Sequence, residues 1–316
     1  MTDHVIGVDL GGTKILAGIF DAEFRCLAKA KEATPPPNPD PTEVFACIAR
    51  AVDRILQDAS VAPAQVQALG LGVPGQISPN FRRIRFAPNL GWRDVEIQQY
   101  LPAAWSWPCF IDNDVRVGTY GEWRRGAAQG AKHVLGIFVG TGVGGGLILD
   151  GKLYHGFNFN AGEIGHTIVH WRKGTTLEDI AGRRNMMKRA ADQLADSSKE
   201  ERKRWKDLDP AKVKSSQLAK LVKDSDPLAV QLVDDAARAL GAQIGGLVNL
   251  LSPEVVVLGG GVAGALGEDF RERVWELASK HALPGATDNV KFVAAQLEDD
   301  SGIVGAAALA RDRAAS

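Results

Sequence analysis

Val5-Ile6-Gly7-Val8-Asp9-Leu10-Gly11-Gly12-Thr13 forms the first legible element of the chain, and Val134-Leu135-Gly136-Ile137-Phe138-Val139-Gly140-Thr141-Gly142 repeats its pattern 129 residues on. In each, an apolar run enters a glycine turn and a second apolar run leaves it, which reads as a β-hairpin. With the two aligned, Val5 falls on Val134, Gly7 on Gly136, Gly11 on Gly140, Ile19 on Ile148 and Asp21 on Asp150. Recurrence at this distance is a repeat of domains, not the short period of a solenoid. It predicts an α/β chain whose two domains share one architecture and face each other across a cleft. Position 9 is Asp where its counterpart is Phe138, so the turns share a shape and not a chemistry.

The rest of the chain is consistent with that outline. Its 316 residues suffice for two cores, at roughly 150 residues per domain. Lys and Arg number 37 against 38 Asp and Glu, so no basic footprint for nucleic acid exists. No apolar run reaches the roughly 18 residues of a membrane span. The start lacks a basic leader, and Cys26, Cys47 and Cys109 are too few and too scattered for a disulfide framework. A cytoplasmic enzyme acting on small molecules is the expectation. A third strand follows at Arg25–Ala30, and the proline-rich stretch 35–41 is a loop. Helical spacing of Val44, Ile48, Val52 and Ile55 predicts a helix ending near Ser60, and Val66–Val73 a buried strand. The mixed charges of Lys199–Arg204 mark a solvated helix face. Pro227–Leu251 is a long helix in which Gly241, Gly245 and Gly246 allow close packing. Glu254–Leu258 is a strand, and Ser301–Arg311 a final small-residue helix.

Several motifs carry chemistry. In Gly11-Gly12-Thr13 the backbone N–H groups are open to phosphate oxygens, and Asp9 beside them suits Mg²⁺, usually held through water. Neither a Walker loop nor a Rossmann fingerprint is present, since no Gly-Lys-Ser/Thr ending occurs and a strand follows the turn. Gly140 to Gly146 has five glycines in seven residues, an arrangement that favours close approach of backbone to a ligand. Gly259-Gly260-Gly261 sits at the C-terminal end of a buried strand, where open α/β sheets bind ligands. In Asp112-Asn113-Asp114, Asp112 or Asn113 suits a helix N-cap and Asp114 a base for an attacking hydroxyl. Glu163, His166 and Glu178 offer converging acceptors for a polyol. The His166/His170 spacing does not make a zinc helix, because Thr167-Ile168-Val169 is β-branched and H-E-x-x-H is absent.

Taken in order, Asp9–Lys14 (DLGGTK), Gly72–Gly75 (GVPG), Ala87–Trp92 (APNLGW), Asp112–Asp114 (DND), Gly140–Ile148 (GTGVGGGLI), Ala161–His166 (AGEIGH), Leu177-Glu178 and Leu258–Val262 (LGGGV) resemble the ROK family of sugar kinases, in the actin-like superfamily. The bacterial glucokinases are the subgroup it is most similar to. The resemblance implies two RNase-H-like lobes, residues 1–113 with about 299–316 and residues 114–298, with the C-terminal helix returning to the first lobe. It also implies a homodimer. Asp9 and Gly11, Gly12, Thr13 and Lys14 would meet ATP phosphates and Mg²⁺, Gly140, Thr141 and Gly142 would form a second phosphate loop, and Gly259, Gly260 and Gly261 would border adenosine. Asp114 would be the base, and Asn89, Asn113, Glu163, His166 and Glu178 would hold the sugar.

One departure matters. The family usually places zinc-binding cysteines after the Gly-His pair, whereas Trp171 to Glu178 contains none. No structural zinc is expected. The loop would then be ordered by packing, with Trp171 inserted where the metal would have sat. The expected activity is transfer of the ATP γ-phosphoryl to the 6-hydroxyl of glucose. Kinases for N-acetylmannosamine, N-acetylglucosamine, mannose or fructose, a polyphosphate-dependent glucokinase and a sugar-sensing repressor are the alternatives. The four residues before the first strand and the neutral charge weigh against the repressor.

Overall fold

The glycine turn at 11–13 reverses the chain between β1 (His4–Leu10) and β2 (Lys14–Phe20), which pair antiparallel with Asp9 opposite Leu16. The computed structural model describes residues 3–198, 205 and 212–315; the charged run Lys199–Arg204 lies outside them. β3 (Cys26–Ala33) extends the meander on one side of β1. On the other side β4 (Val66–Val73) runs parallel to β1, and β8 (Cys109–Asn113) runs parallel to β4. The resulting order is β3-β2-β1-β4-β8.

A second sheet repeats this plan. Its strands are β9 (Val134–Val139), β10 (Val143–Leu149), β11 (Lys152–Leu153), β14 (Val255–Gly259) and β15 (Lys291–Ala294), in the order β11-β10-β9-β14-β15. β14 again runs parallel to both its neighbours. Strand for strand the two orders coincide, as the repeated hairpins predict. Two smaller sheets complete the set: β5 (Gln76–Ile77), β6 (Arg83–Ala87) and β7 (Trp92–Glu96), and the hairpin of β12 (Ile168–His170) and β13 (Thr175–Thr176).

The chain forms two compact units: Met1–Gly130, Gly146–Ala161 and Asp299–Ser316 in one, Ala131–Gly145 and Gly162–Glu298 in the other. In the first, helix α1 (Pro41–Asp58) begins where Asp40 accepts the Thr42 N–H at 2.7 Å, with Pro41 at its first position. It buries the stripe Val44, Ile48, Val52 and Ile55, each contributing roughly 1.5–3 kcal/mol on removal from water. The C-terminal helix Ser301–Ala314 packs in this unit. It lies so close to the sheet that a Cβ at Gly7 would collide with the Ile303 carbonyl, and one at Gly70 with that of Ala306. Glycine on the strands and alanine on the helix are what this spacing demands. Helix α2 (Asp114–Arg125) packs against it at Gly121 and Gly305.

In the second unit, helices Pro227–Leu251 and Gly261–His281 meet at Gly241 and Gly245, where an added Cβ would come within 2.5 Å of Leu277 and 2.6 Å of the Ala278 carbonyl. Gly246 takes no part, since open space surrounds it. It lies one residue beyond the contact face. Among the described residues no helix is long and apolar enough to cross a membrane. The three cysteines are free.

Candidate active site

In the first unit the charged groups gather at the C-terminal ends of β1 and β8. Asp9 lies near the end of β1, and the C-terminal helix closes over it: a Cβ on Gly302 would stand 2.8 Å from the Asp9 carboxyl carbon. Among the described residues nothing hydrogen-bonds its carboxylate. Burial pushes the carboxyl up to about 6, against the opposing pull of the Lys14 charge and with a smaller push from Asp299. A half-buried carboxylate that no side chain or backbone N–H bonds suits a hard cation. Lys14 itself pairs with Asp299 at 2.7 Å, in a partly exposed contact of the kind that contributes about 0–1 kcal/mol. The turn between them is held by the Gly11 N–H donating to the Lys14 carbonyl and by the Thr34 hydroxyl donating to the Gly11 carbonyl.

At the end of β8, Asn113 is the N-cap of α2. Its Oδ1 accepts the Val115 and Arg116 N–H groups at 3.0 and 3.1 Å, while Nδ2 donates to the Gly75 carbonyl at 3.2 Å. Asn113 is thus the cap, of the two candidates, and Asp114 is the first residue of the helix, half-buried. Asp112 is wholly buried and binds Arg116, His155 and the Asn113 N–H. Asn89 is exposed on a single 3₁₀ turn, Pro88–Leu90, ended by Gly91 in the left-handed region.

In the second unit two motifs that are far apart in sequence come together. Glu178 Oε2 accepts the Val143 N–H at 2.8 Å and lies against Gly142 where a side chain would otherwise project. The second glycine turn is therefore braced by a residue predicted to bind sugar. Helix α3 (Leu177–Ala181), which carries Glu178, starts in a capping box between Thr176 and Asp179. The Thr176 N–H and hydroxyl both donate to Asp179 Oδ2 and hold the Asp179 carboxyl below the usual carboxylate range. At the start of helix α4 (Arg183–Ala195), the Arg183 and Arg184 N–H groups donate to the Gly140 and Thr141 carbonyls, and the Arg183 guanidinium donates to Thr141 Oγ1 at 3.1 Å. Arg183 is a cation at this turn that sequence reading missed, because nothing local links it to residue 141. Glu163 is half-buried and leads into a short 3₁₀ turn that ends at the exposed His166. Gly260, with φ of 89°, turns β14 into the helix beginning at Gly261; a Cβ there would lie 2.5 Å from the Val139 carbonyl.

The stretch after His166 is ordered without metal ligands. β12 pairs with β13, Lys173 N–H closes the turn on the His170 carbonyl, and Leu177 N–H donates to the Thr167 carbonyl. Trp171 does not insert as expected. It is 79% exposed, with the Arg172 guanidinium over its ring, while the β12–β13 ladder and the turn bond of Lys173 hold the hairpin without it.

Known proteins are similar to this chain over nearly its full length. Residues 5–313 match the ROK family. A glucokinase of Halalkalibacterium halodurans is 32% identical over 309 residues, covering 95% of this chain and 92% of that protein. The crystal structure of a ROK family glucokinase from Streptomyces griseus, in complex with glucose and AMPPNP, superposes with a TM-score of 0.79 at 31% identity, over 98% of this chain and 99% of that one. A ROK hexokinase from Thermus thermophilus gives 0.80 at 33% identity, over 98% of each chain. The mixed α/β fold of two like-ordered sheets is that of the actin-like kinases, and the chain belongs to the ROK family.

Proposed function

We propose that this chain is an ATP-dependent glucokinase that transfers the γ-phosphoryl group to the 6-hydroxyl of glucose. The observation that carries the reading is Asp114 at the head of α2, its backbone fixed by the Asn113 cap, in a chain whose relatives include glucokinases. Asp114 takes the hydroxyl proton as the oxygen attacks phosphorus in line with the leaving group. Asn89, Asn113, Glu163, His166 and Glu178 orient the sugar. The turns Gly11 to Lys14 and Gly140 to Gly142, whose first N–H groups close the turns themselves, steady the phosphates, and Gly259 to Gly261 border the adenosine. Mg²⁺, when bound, neutralises charge on the phosphate oxygens, and Asp9 is the residue placed to hold it, usually through water. Zinc does not fit. Between His166 and Glu178 the only other soft ligand is His170, and all three cysteines lie in the other unit.

The enzyme works, in this reading, as a cytoplasmic homodimer on small molecules, in sugar breakdown, with neither nucleic-acid nor membrane partners. A coupled assay of ADP release across a panel of hexoses, with polyphosphate replacing ATP in a second series, tests the proposal. Highest kcat/KM with glucose and ATP is expected. A preference for an N-acetylated hexose or for polyphosphate would reassign substrate or donor, and no turnover with any sugar would favour the sugar-sensing regulators of the same family.

A further inference from the structure

Beneath the start of α2 lies a buried polar cluster that the chemistry above does not use. Asp112 and Arg116 are both 0% exposed. Asp112 Oδ1 accepts from Arg116 Nε at 2.8 Å and from the Asn113 N–H at 2.7 Å, while Oδ2 lies 2.6 Å from His155 Nε2. Burial alone would raise the Asp112 carboxyl, but the His155 bond and the Arg116 charge overcome it and hold the group ionised. An ionised carboxylate only accepts, so His155 donates from Nε2. Arg116 Nη1 continues to the Phe159 carbonyl at 3.0 Å. His155 stacks on Phe159 with ring centres 4.8 Å apart, and Phe81 meets both rings edge-on. Residues 155–159 are thus tied to Asp112 twice, once through an imidazole and once through a guanidinium. The tie also holds Phe159 at φ of 60°, a left-handed conformation costly for an aromatic residue.

Stability alone does not account for such a cluster. A buried ion pair is commonly no better than well-packed apolar side chains, and Arg116 Nη2 has no partner among the described residues. What the cluster does specify is geometry. Asp112 Oδ1 fixes the Asn113 peptide, Asn113 Oδ1 fixes the Val115 and Arg116 N–H groups, and Asp114, between Asn113 and Val115 in the chain, accepts the same Val115 N–H.

We propose that His155 is a positioning residue for phosphoryl transfer: by holding Asp112 Oδ2 it locks the Asp112 side chain, hence the Asn113 peptide and the first turn of α2, and so aims Asp114. This rests on the proposed role of Asp114 as base. A misplacement of about 1 Å can cost on the order of 10²-fold in rate, so loss of the lock is visible in kcat.

The test compares His155→Leu, which loses the donor, with His155→Gln, whose amide N–H can still reach Asp112. Two readouts are taken: hydrogen exchange of the Asn113, Val115 and Arg116 amides, and steady-state kinetics with glucose and ATP. The leucine variant should exchange those amides at least about tenfold faster, with β1 and the C-terminal helix unchanged, and lose at least about tenfold in kcat while both KM values stay within about threefold. The glutamine variant should return both readouts to within about threefold of wild type. Unchanged exchange, equal losses in the two variants, or an effect confined to the glucose KM would overturn the assignment. His155→Asn, whose amide falls short of Asp112, replaces the leucine variant if that does not fold. Exchange is read without turnover, so an inactive wild type would refute the proposed function while local loosening still decides the lock.

Discussion

Asp114 carries the heaviest chemical assignment, and its neighbours make that assignment separable from folding. Asn113 accepts the Val115 and Arg116 N–H groups, and Asp114 Oδ1 shares the Val115 N–H at 2.9 Å, a bond that an amide oxygen still accepts, so Asp114→Asn should leave the fold intact. We expect a loss of roughly 10²–10⁴-fold in kcat, the usual worth of a positioned base, with glucose binding retained in calorimetry. A variant keeping more than about a tenth of wild-type kcat would remove Asp114 from that role. The two glutamates separate in a different way. Glu163→Gln should raise the glucose KM and spare that of ATP, because charge-assisted bonds to hydroxyls are roughly twice as strong as neutral ones. Glu178→Gln should raise both, since Glu178 also braces the Val143 N–H beside Gly142. If Glu178→Gln changed the glucose KM alone, the brace would not matter to the nucleotide.

At the scale of elements, glycine decides how closely helix meets sheet. Gly70→Ala places a methyl group on the Ala306 carbonyl, a backbone atom that cannot rotate away. The expected cost is typically 1–3 kcal/mol, seen as a lowered melting temperature with unchanged KM values in the surviving folded protein. An unaltered melting temperature would mean that the C-terminal helix shifts freely. The β12–β13 hairpin gives a second prediction: activity should survive exhaustive chelation followed by Mg²⁺, and elemental analysis of untagged protein should find no stoichiometric zinc. Near-stoichiometric zinc, with activity lost on its removal, would contradict the donor set between His166 and Glu178. These elements also mark what can be read from sequence. The hairpins, the strand at Val66–Val73 and the helix at Pro227–Leu251 are found where local periodicity puts them, because backbone pairing and apolar spacing are local properties. The Asn113 cap was legible as one of two options. The bonds from His155 to Asp112 and from Glu178 to Val143 were not, since they join residues 43 and 35 positions apart and no periodicity encodes them. Trp171 was misread for a related reason: exposure depends on what the rest of the hairpin already satisfies.

For the molecule as a whole, the half-buried carboxylate of Asp9 links folding to pH and to cation binding. Its folded value is about 6, against an ordinary 3.8. Between those values the folded state holds a proton that the unfolded chain releases, so stability falls as pH rises from about 4 to 6 and is level above. The penalty at neutral pH is on the order of 1–3 kcal/mol, at roughly 1.4 kcal/mol per unit. Asp9→Asn abolishes that penalty together with the negative charge. We therefore expect the variant to melt a few degrees higher than wild type at pH 7.5 and at the same temperature at pH 4. Mg²⁺ with AMPPNP should raise the wild-type melting temperature, because a ligand bound only by the folded state stabilises it by mass action, and should raise the variant's much less. Activity should move in the opposite direction, with Asp9→Asn the more stable protein and the poorer kinase. Thermal melts at the two pH values, with and without Mg²⁺ and AMPPNP, measure all of this in one series. An Asp9→Asn variant that melts lower than wild type at pH 7.5 would show that the carboxylate is stabilised in the free protein, and the case for Asp9 as the cation's residue would lose its physical basis.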